Sequence, residues 1–423
     1  MRLFTLILIL FICHTQSLVA QTDTINSWIN LRFEEYMDLV AKHNLDYAAE
    51  RYEVNKSEAA IEIAKVFSDP TISFGYSQDR EGHQTTGNGI SGGIDKSVDL
   101  FGKRRARIDL AKSQHELSKA LLADFFRNLE AQAAETFLEA LKQKQLYEVK
   151  LDSYHTMKRL AEADSIRLEL GSIMAIDASQ SKLEAGSLYN ELLQTEADLR
   201  NSYIQLSEMT GTLKEDTLWI PDGNLNFKQR TFIQTVLIDT ARTRRSDLVA
   251  ALYNKDVSAK ALRLAHKERN IDVDLTLGFG NSYPSPGTGP TVTTVSAGIA
   301  IPLKFSNYYK GELKQAQFQI SQSELLYEKA DLQIRMEIAQ AMQKYLAFCR
   351  QVDSYEKGMI LNAQNVRKGK IYSYSRGETS LLEVLNAQRT YNDIQQSYYE
   401  TLFNRAVALV ELEKASGIWD INF

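Results

Sequence analysis

Two periodicities divide the chain. Apolar residues recur at alternating three- and four-residue steps over Leu122, Phe126, Leu129, Ala133, Phe137 and Ala140, and again over Ile334, Ile338, Ala341, Tyr345 and Phe348. That spacing predicts long helices packed as coiled coils. Elsewhere the period is two. In "IDVDLTLGF", Ile271, Val273, Leu275, Leu277 and Phe279 share one face, while Asp272, Asp274, Thr276 and Gly278 take the other. "VSAGIAI" continues the pattern with Val295, Ala297, Ile299 and Ile301. Ile72, Phe74 and Tyr76 alternate with Thr71, Ser73 and Gly75, and Ile90, Ile94 and Val98 follow more weakly. These segments predict strands near 69–79, 90–100, 271–281 and 292–303, with the polar, turn-rich loops "QDREGHQTTGNG" and "NSYPSPGTGP" between them.

Glycine and proline punctuate the rest. Neither occurs from Lys103 to Leu170, so a helix over that run reaches roughly 100 Å at 1.5 Å per residue. The predicted long helices are 103–170 and 173–210, then 308–376 and 379–416, paired into hairpins that turn at Gly171 and Gly377.

The two halves match. "DPTISFGYS" resembles "DVDLTLGFGNS", "SGGIDKSVDLFGKRRARIDLAKSQ" aligns with "SAGIAIPLKFSNYYKGELKQAQFQ", and "ELGSIMAIDASQ" aligns with "SRGETSLLEVLN", at a shift of about 205 positions. The period is too long for a solenoid unit. We read a tandem duplication: a first repeat over 21–215, a linker over 216–228, a second repeat over 229–418 and a short tail over 419–423. The linker "TLWIPDGNLNF" and the tail "GIWDINF" are expected to form a collar around the helices, anchored by Trp219 and Trp419.

Composition then narrows the class. A net charge of −5 argues against a nucleic-acid partner. "MRLFTLILILFICHTQSLVAQ" has one positive residue, an apolar core from Leu3 to Cys13, and Ala20 before Gln21, which predicts a secretory signal peptide over 1–20. Ile12 before Cys13 is bulkier than a lipoprotein signal favours. Removing the leader leaves Cys349 alone, so no disulfide can staple the mature chain. No other apolar run is long enough to span a bilayer as a helix, which takes ~20 residues. Any membrane entry is therefore by strands. The strands have about the length that a tilted transmembrane strand needs, and their polar faces suit a lumen. Four of them cannot close a barrel, and open edges in lipid leave costly unpaired backbone groups. Either the strands lie in water or several chains pool them.

The stretch "SVDLFGKRRARIDLAKSQ" poses a puzzle. After Gly102 come Lys103, Arg104, Arg105 and Arg107, at the helix end where cations are disfavoured.

The layout resembles the TolC-like outer-membrane efflux proteins over about residues 30–418. In each copy it runs strand, loop, strand, a junction such as "LFGKRRARIDLA", a long helix, and a turn such as "LGSIMAIDASQ" or "RGETSLLEVLNAQ". The resemblance implies a mainly α fold with a membrane β-barrel: a homotrimer in which each chain gives four strands to one twelve-stranded barrel. The helical hairpins would form a tunnel across the periplasm of a Gram-negative cell. It further implies a passive outer-membrane duct, completed by a periplasmic adaptor protein and an inner-membrane transporter. Gly102 would then mark the junction at the membrane surface. Lys103, Arg104, Arg105 and Arg107 would face anionic headgroups, with Tyr308 and Tyr309 an interfacial belt in the second copy. The hairpin turns would lie at the periplasmic tip, where gating and adaptor docking fall on Leu170, Gly171, Ser172 and Asp177, and on Arg376, Gly377, Glu378 and Glu383. The acidic residues there would tune a constriction, or simply begin the returning helices.

Other signals carry less. "GNGISG" fits a dinucleotide fingerprint in letters but precedes a strand, where the true motif opens a helix. His43, His83, His115, His155 and His266 are scattered without metal-ligand spacing. No carboxylate is paired with a base and an oxyanion site, so the chain is read as neither an enzyme nor a cofactor protein. Its size is similar to that of the family's heavy-metal branch, which the scattered histidines and methionines do not support physically. Two alternatives stay open: a protein-secretion duct of the same fold, and a secreted coiled-coil scaffold that conducts nothing.

Overall fold

A computed structural model describes residues 27–81, 83–211, 217–287, 289–303 and 308–423. The expected leader over 1–20, Cys13 within it, and residues 304–307 of the second junction lie outside these.

The first long helix is whole. It runs as α3 (Lys103–Glu169) and turns into α4 (Ala175–Met209). It is preceded by β1 (Ser27–Arg32), α1 (Phe33–His43), α2 (Leu45–Lys65), β2 (Thr71–Glu81) and β3 (Gln84–Val98). Then come β4 (Thr217–Asp222), α5 (Gln234–Arg244), α6 (Ser246–Glu268), β5 (Val273–Pro284) and β6 (Val292–Ala300). The second long helix, expected unbroken over 308–376, is divided. α7 (Lys310–Ser354) and α8 (Ile360–Ser375) are separated by a π-helical turn, Tyr355–Met359. The cause is Gly358, whose φ of +139° no α-helix contains. The chain closes with α9 (Leu381–Ser416).

β2, β3, β5 and β6 form one antiparallel sheet in that order. β3 begins earlier than its weak alternation predicts. Its stretch from Gln84 to Gly89 has no apolar residue to alternate with the polar ones, yet it is paired with β2 and, from Gly87, with β5. β6 stops at Ala300, before Pro302, which has no N–H for a ladder.

At the sheet end of the molecule the helices lie side by side as α2, α3, α6 and α7; at the turn end the order is α4, α3, α9, α8. Between the two ends sits the largest core. Phe33, Tyr36 and Val40 of α1 pack on Phe137, Leu138 and Leu141 of α3 and on Leu402, Ala406 and Val410 of α9. Each Val, Leu or Phe among them contributes about 1.5–3 kcal/mol by leaving water. β1 pairs in parallel with β4 here. Trp219 and Trp419 lie against the same core, and Phe423 meets Phe33 edge-on at 5.2 Å. Linker, tail and N-terminal strand thus wrap one level of the long helices. Among the described residues this cluster holds twenty buried side chains, against eight in the cluster near the turns, so packing grips the middle harder than the tip.

Candidate functional site

The sheet has two chemically distinct faces. Cross-strand register sets Ile72, Ile94, Leu277 and Ala297 in one row, and Phe74, Gly92, Phe279 and Val295 in the next. This apolar face is bare, with Phe74 87% exposed. The opposite face carries Ser73, Gly93, Gly278 and Ser296 in one row, and Gly75, Ser91, Gly280 and Thr294 in another. Its glycines face serines closely: a Cβ on Gly278 would lie 2.6 Å from Oγ of Ser296, and one on Gly75 would lie 2.6 Å from Oγ of Ser91. Small residues there let that face curve inward. Asp79, Asp95 and Asp274 lie on this face as well. The run Gly87–Gly92 lies wholly within β3, away from any helix start.

At the junction the cations mostly have protein partners. Nζ of Lys103 donates to both carboxylate oxygens of Asp272 at 2.6 Å, and its side chain is only 2% exposed. Arg104 donates to the Lys65 carbonyl at 2.6 Å and stacks over the Phe67 ring at 4.0 Å. Arg107 pairs with Asp99. Arg105 is exposed. Of the four cations expected to face headgroups, Lys103 is buried against protein, while Arg104, Arg105 and Arg107 keep exposed surface. Carboxylates at the foot of the sheet neutralise Lys103 and Arg107, which also answers how cations are tolerated at a helix N-terminus. The junction backbone turns through two successive left-handed residues in each half: Phe101 and Gly102, then Tyr308 and Tyr309. Tyr308 is exposed and lies under the Arg269 guanidinium at 4.8 Å.

At the turn end, Gly171 (φ +68°) and Gly377 (φ +77°) close their helices alike. The N–H of Ser172 returns to the Arg167 carbonyl at 2.8 Å, and that of Glu378 returns to the Ser373 carbonyl at 2.9 Å. These are glycine caps that spare the last carbonyls. Leu170 and Glu378 are exposed, and Arg376 stacks over Tyr372 at 4.5 Å. Glu383 pairs with Lys370 and accepts from Thr379 at 2.5 Å, and the Lys370 contact holds its carboxyl below the ordinary range. Asp177 sits half-buried in the first turn of α4.

The strongest contacts between the two hairpins fall on residues that sequence reasoning missed. Tyr374 of α8 donates to Oδ1 of Asp164 on α3 at 3.1 Å, with Asp164 wholly buried. Burial, with Asp164 adding to it, pushes the phenol up to about 12. Arg167 donates to the carbonyl of Ser375 at 2.9 Å. Two turns back along α8, Arg367 pairs with Asp152 at 2.9 Å and stacks over Tyr391 at 3.9 Å. At the same level, Ser153 donates to Asn392 at 2.6 Å. One signal was available: Met157, Ala161 and Asp164 continue a four-then-three apolar spacing, so a carboxylate occupies a seam position. Nothing local marks Tyr374 as its partner.

The sequence pattern of the outer membrane efflux protein family matches residues 37–212 and 237–418. The cobalt-zinc-cadmium resistance protein CzcC of Cupriavidus metallidurans is 23% identical over 408 residues, covering 94% of this chain and 95% of the relative. The outer membrane protein TolC of Vibrio cholerae is 19% identical over 78% of this chain and 76% of its own. Among solved structures, the CmeC outer membrane channel of Campylobacter jejuni superposes with a TM-score of 0.75 at 14% identity, over 91% of this chain and 85% of that one.

Proposed function

The chain belongs to the outer membrane efflux protein family, and from that premise we propose that it is the outer-membrane exit duct of a tripartite efflux assembly in a Gram-negative cell. The observation that carries this reading is the open sheet. Its two outer strands, β2 and β6, each keep one edge unpaired by the described residues, and one of its faces is apolar while the other is Gly, Ser, Thr and Asp. In lipid such a sheet must close. Three chains giving four strands each would make a twelve-stranded barrel, wide enough to hold a water-filled lumen. The helices leave matching edges for the same assembly. Tyr52 and Ile63 of α2, and Phe318, Leu325 and Leu332 of α7, are exposed on the two outermost helices of the sheet end. Neighbouring copies would cover them.

The long helices then form the periplasmic tunnel, the wrapped middle level its collar, and the hairpin turns its tip. Closure at the tip rests on Asp164–Tyr374 and Asp152–Arg367, and the exposed turns around Gly171 and Gly377 meet the adaptor. Asp177, Glu378 and Glu383 are further acidic groups of the tip that would tune the constriction. Arg105, with Tyr308 and Phe101, is left for the membrane surface. The duct is passive, and its partner transporter supplies the energy. Similarity to a cobalt-zinc-cadmium resistance protein over nearly the whole chain makes divalent metal cations the first cargo to test. A non-conducting scaffold gives the two-faced sheet no use.

Reconstitution in planar bilayers tests the proposal. The detergent-extracted protein is expected to raise conductance in uniform steps. A well-folded preparation that never conducts would leave the scaffold.

A further inference from the structure

α7 and α8 would be one helix but for a single turn. Between Tyr355 and Met359 the backbone bonds as a π-helix, and the N–H of Ile360 donates to the carbonyl of Tyr355, five residues back instead of four. Gly358 absorbs the excess, at φ +139° and ψ −14°, where residues with a Cβ are rarely found. Space is not the reason for a glycine: a Cβ built there meets only Nδ2 of Asn362, at 3.8 Å. The residue is required by its backbone. A π turn is an α-helix with one residue inserted, and such turns concentrate at functional positions.

One residue rotates everything beyond it by about 100° around the helix axis. Before the turn, α7 is fixed by buried Tyr345, Cys349 and Val352. The turn itself is clamped from the linker side. Oε1 of Glu356 accepts from Nδ2 of Asn226 and from the Tyr398 hydroxyl, both at 3.0 Å, and Asn226 also accepts from Arg405 at 3.1 Å. Beyond the turn, α8 buries only Arg367 and Tyr374. These are the two side chains that reach Asp152 and Asp164. A rotation by one residue would bring up a neighbour of Tyr374 instead, Ser373 or Ser375, and neither has a phenol to reach Asp164.

We propose that Gly358 is the positioning residue of the tip gate: its π turn sets the rotation of α8 at which Arg367 meets Asp152 and Tyr374 meets Asp164. Return of this turn to the α-helical register frees α8 from α3 and opens the tip. The proposal rests on the reading of the tip as a gate.

The test is the resting conductance of the full chain in planar bilayers, for four variants. Tyr374→Phe removes the phenol donor directly and is expected to raise it roughly five- to tenfold, as when a closed state loses one or two hydrogen bonds. Gly358→Ala is expected to do the same by rotating α8. Deleting Gly358 shortens the π turn to an ordinary α turn without changing the facing of Arg367 and Tyr374, so it restores wild-type conductance. Gly369→Ala, at a helical glycine with nothing within 4 Å of its Cβ site, is the neutral control. Wild-type conductance in Gly358→Ala, or a deletion as leaky as Gly358→Ala, overturns the proposal if Tyr374→Phe still leaks. Wild-type conductance in Tyr374→Phe removes the gate reading itself. Should Gly358→Ala fail to assemble, one alanine inserted after Ala363 turns the rest of α8 by the same angle, and a closed channel there overturns the proposal equally.

Discussion

Single residues settle the puzzle at the start of α3. A lysine at the first helical position gains nothing from the macrodipole, yet Lys103 is the most deeply buried cation of its cluster. Asp272, at the foot of β5, is what makes this possible, and the pair joins the first half of the chain to the second. The two partners are unequally buried, 2% and 27% exposed, so their removal should be unequal too. Asp272→Ala strands a buried ammonium and is expected to cost about 3 kcal/mol, whereas Lys103→Met leaves a carboxylate that water can reach and should cost roughly 1 kcal/mol. Chemical denaturation of the detergent-solubilised protein measures both, and the reverse order would contradict this account. The same logic made Asp164 hard to read from sequence. Its place in an apolar seam was visible, but its partner lies 210 positions away on another hairpin.

At the scale of elements, the sequence was most legible where one rule acted alone. α3 has no glycine or proline and a steady apolar stripe, and it starts at Lys103 and ends within a residue of its expected stop. β5 alternates cleanly and is found nearly where the alternation lies. The failures came where two rules competed. β3 is built of glutamine, threonine, glycine and asparagine over its first residues, so its pairing comes from neighbours rather than from its own pattern. In the second long helix, Gly358 and Gly369 both fall within a helical pattern, and only the backbone separates them. α3 also carries a strained charge of its own. Burial raises Glu130 from 4.5 to about 7. A carboxyl that holds its proton more tightly when folded favours folding below its ordinary value and opposes it as pH rises toward 7. Glu130→Gln should therefore leave stability unchanged near pH 4 and raise it by about 1 kcal/mol at pH 8, after allowance for partial exposure. Thermal unfolding at the two pH values checks this, and a gain confined to acid would contradict it.

At the scale of the whole molecule, one chain presents surfaces that it cannot satisfy alone. A sheet whose two edges are unpaired by the described residues, its bare apolar face, and exposed Leu and Phe on the outermost helices are all unfavourable in an isolated chain in water. They become favourable together if three copies close around one axis in a bilayer. No element read alone points to such pooling; the four strands per chain, too few to close a barrel, are what support it. The most direct measurement is the protein mass of the particle extracted from isolated outer membranes, by light scattering with the detergent contribution subtracted. The account predicts a detergent-dependent particle of three chains. A monomer or dimer recovered from the soluble periplasmic fraction would contradict it.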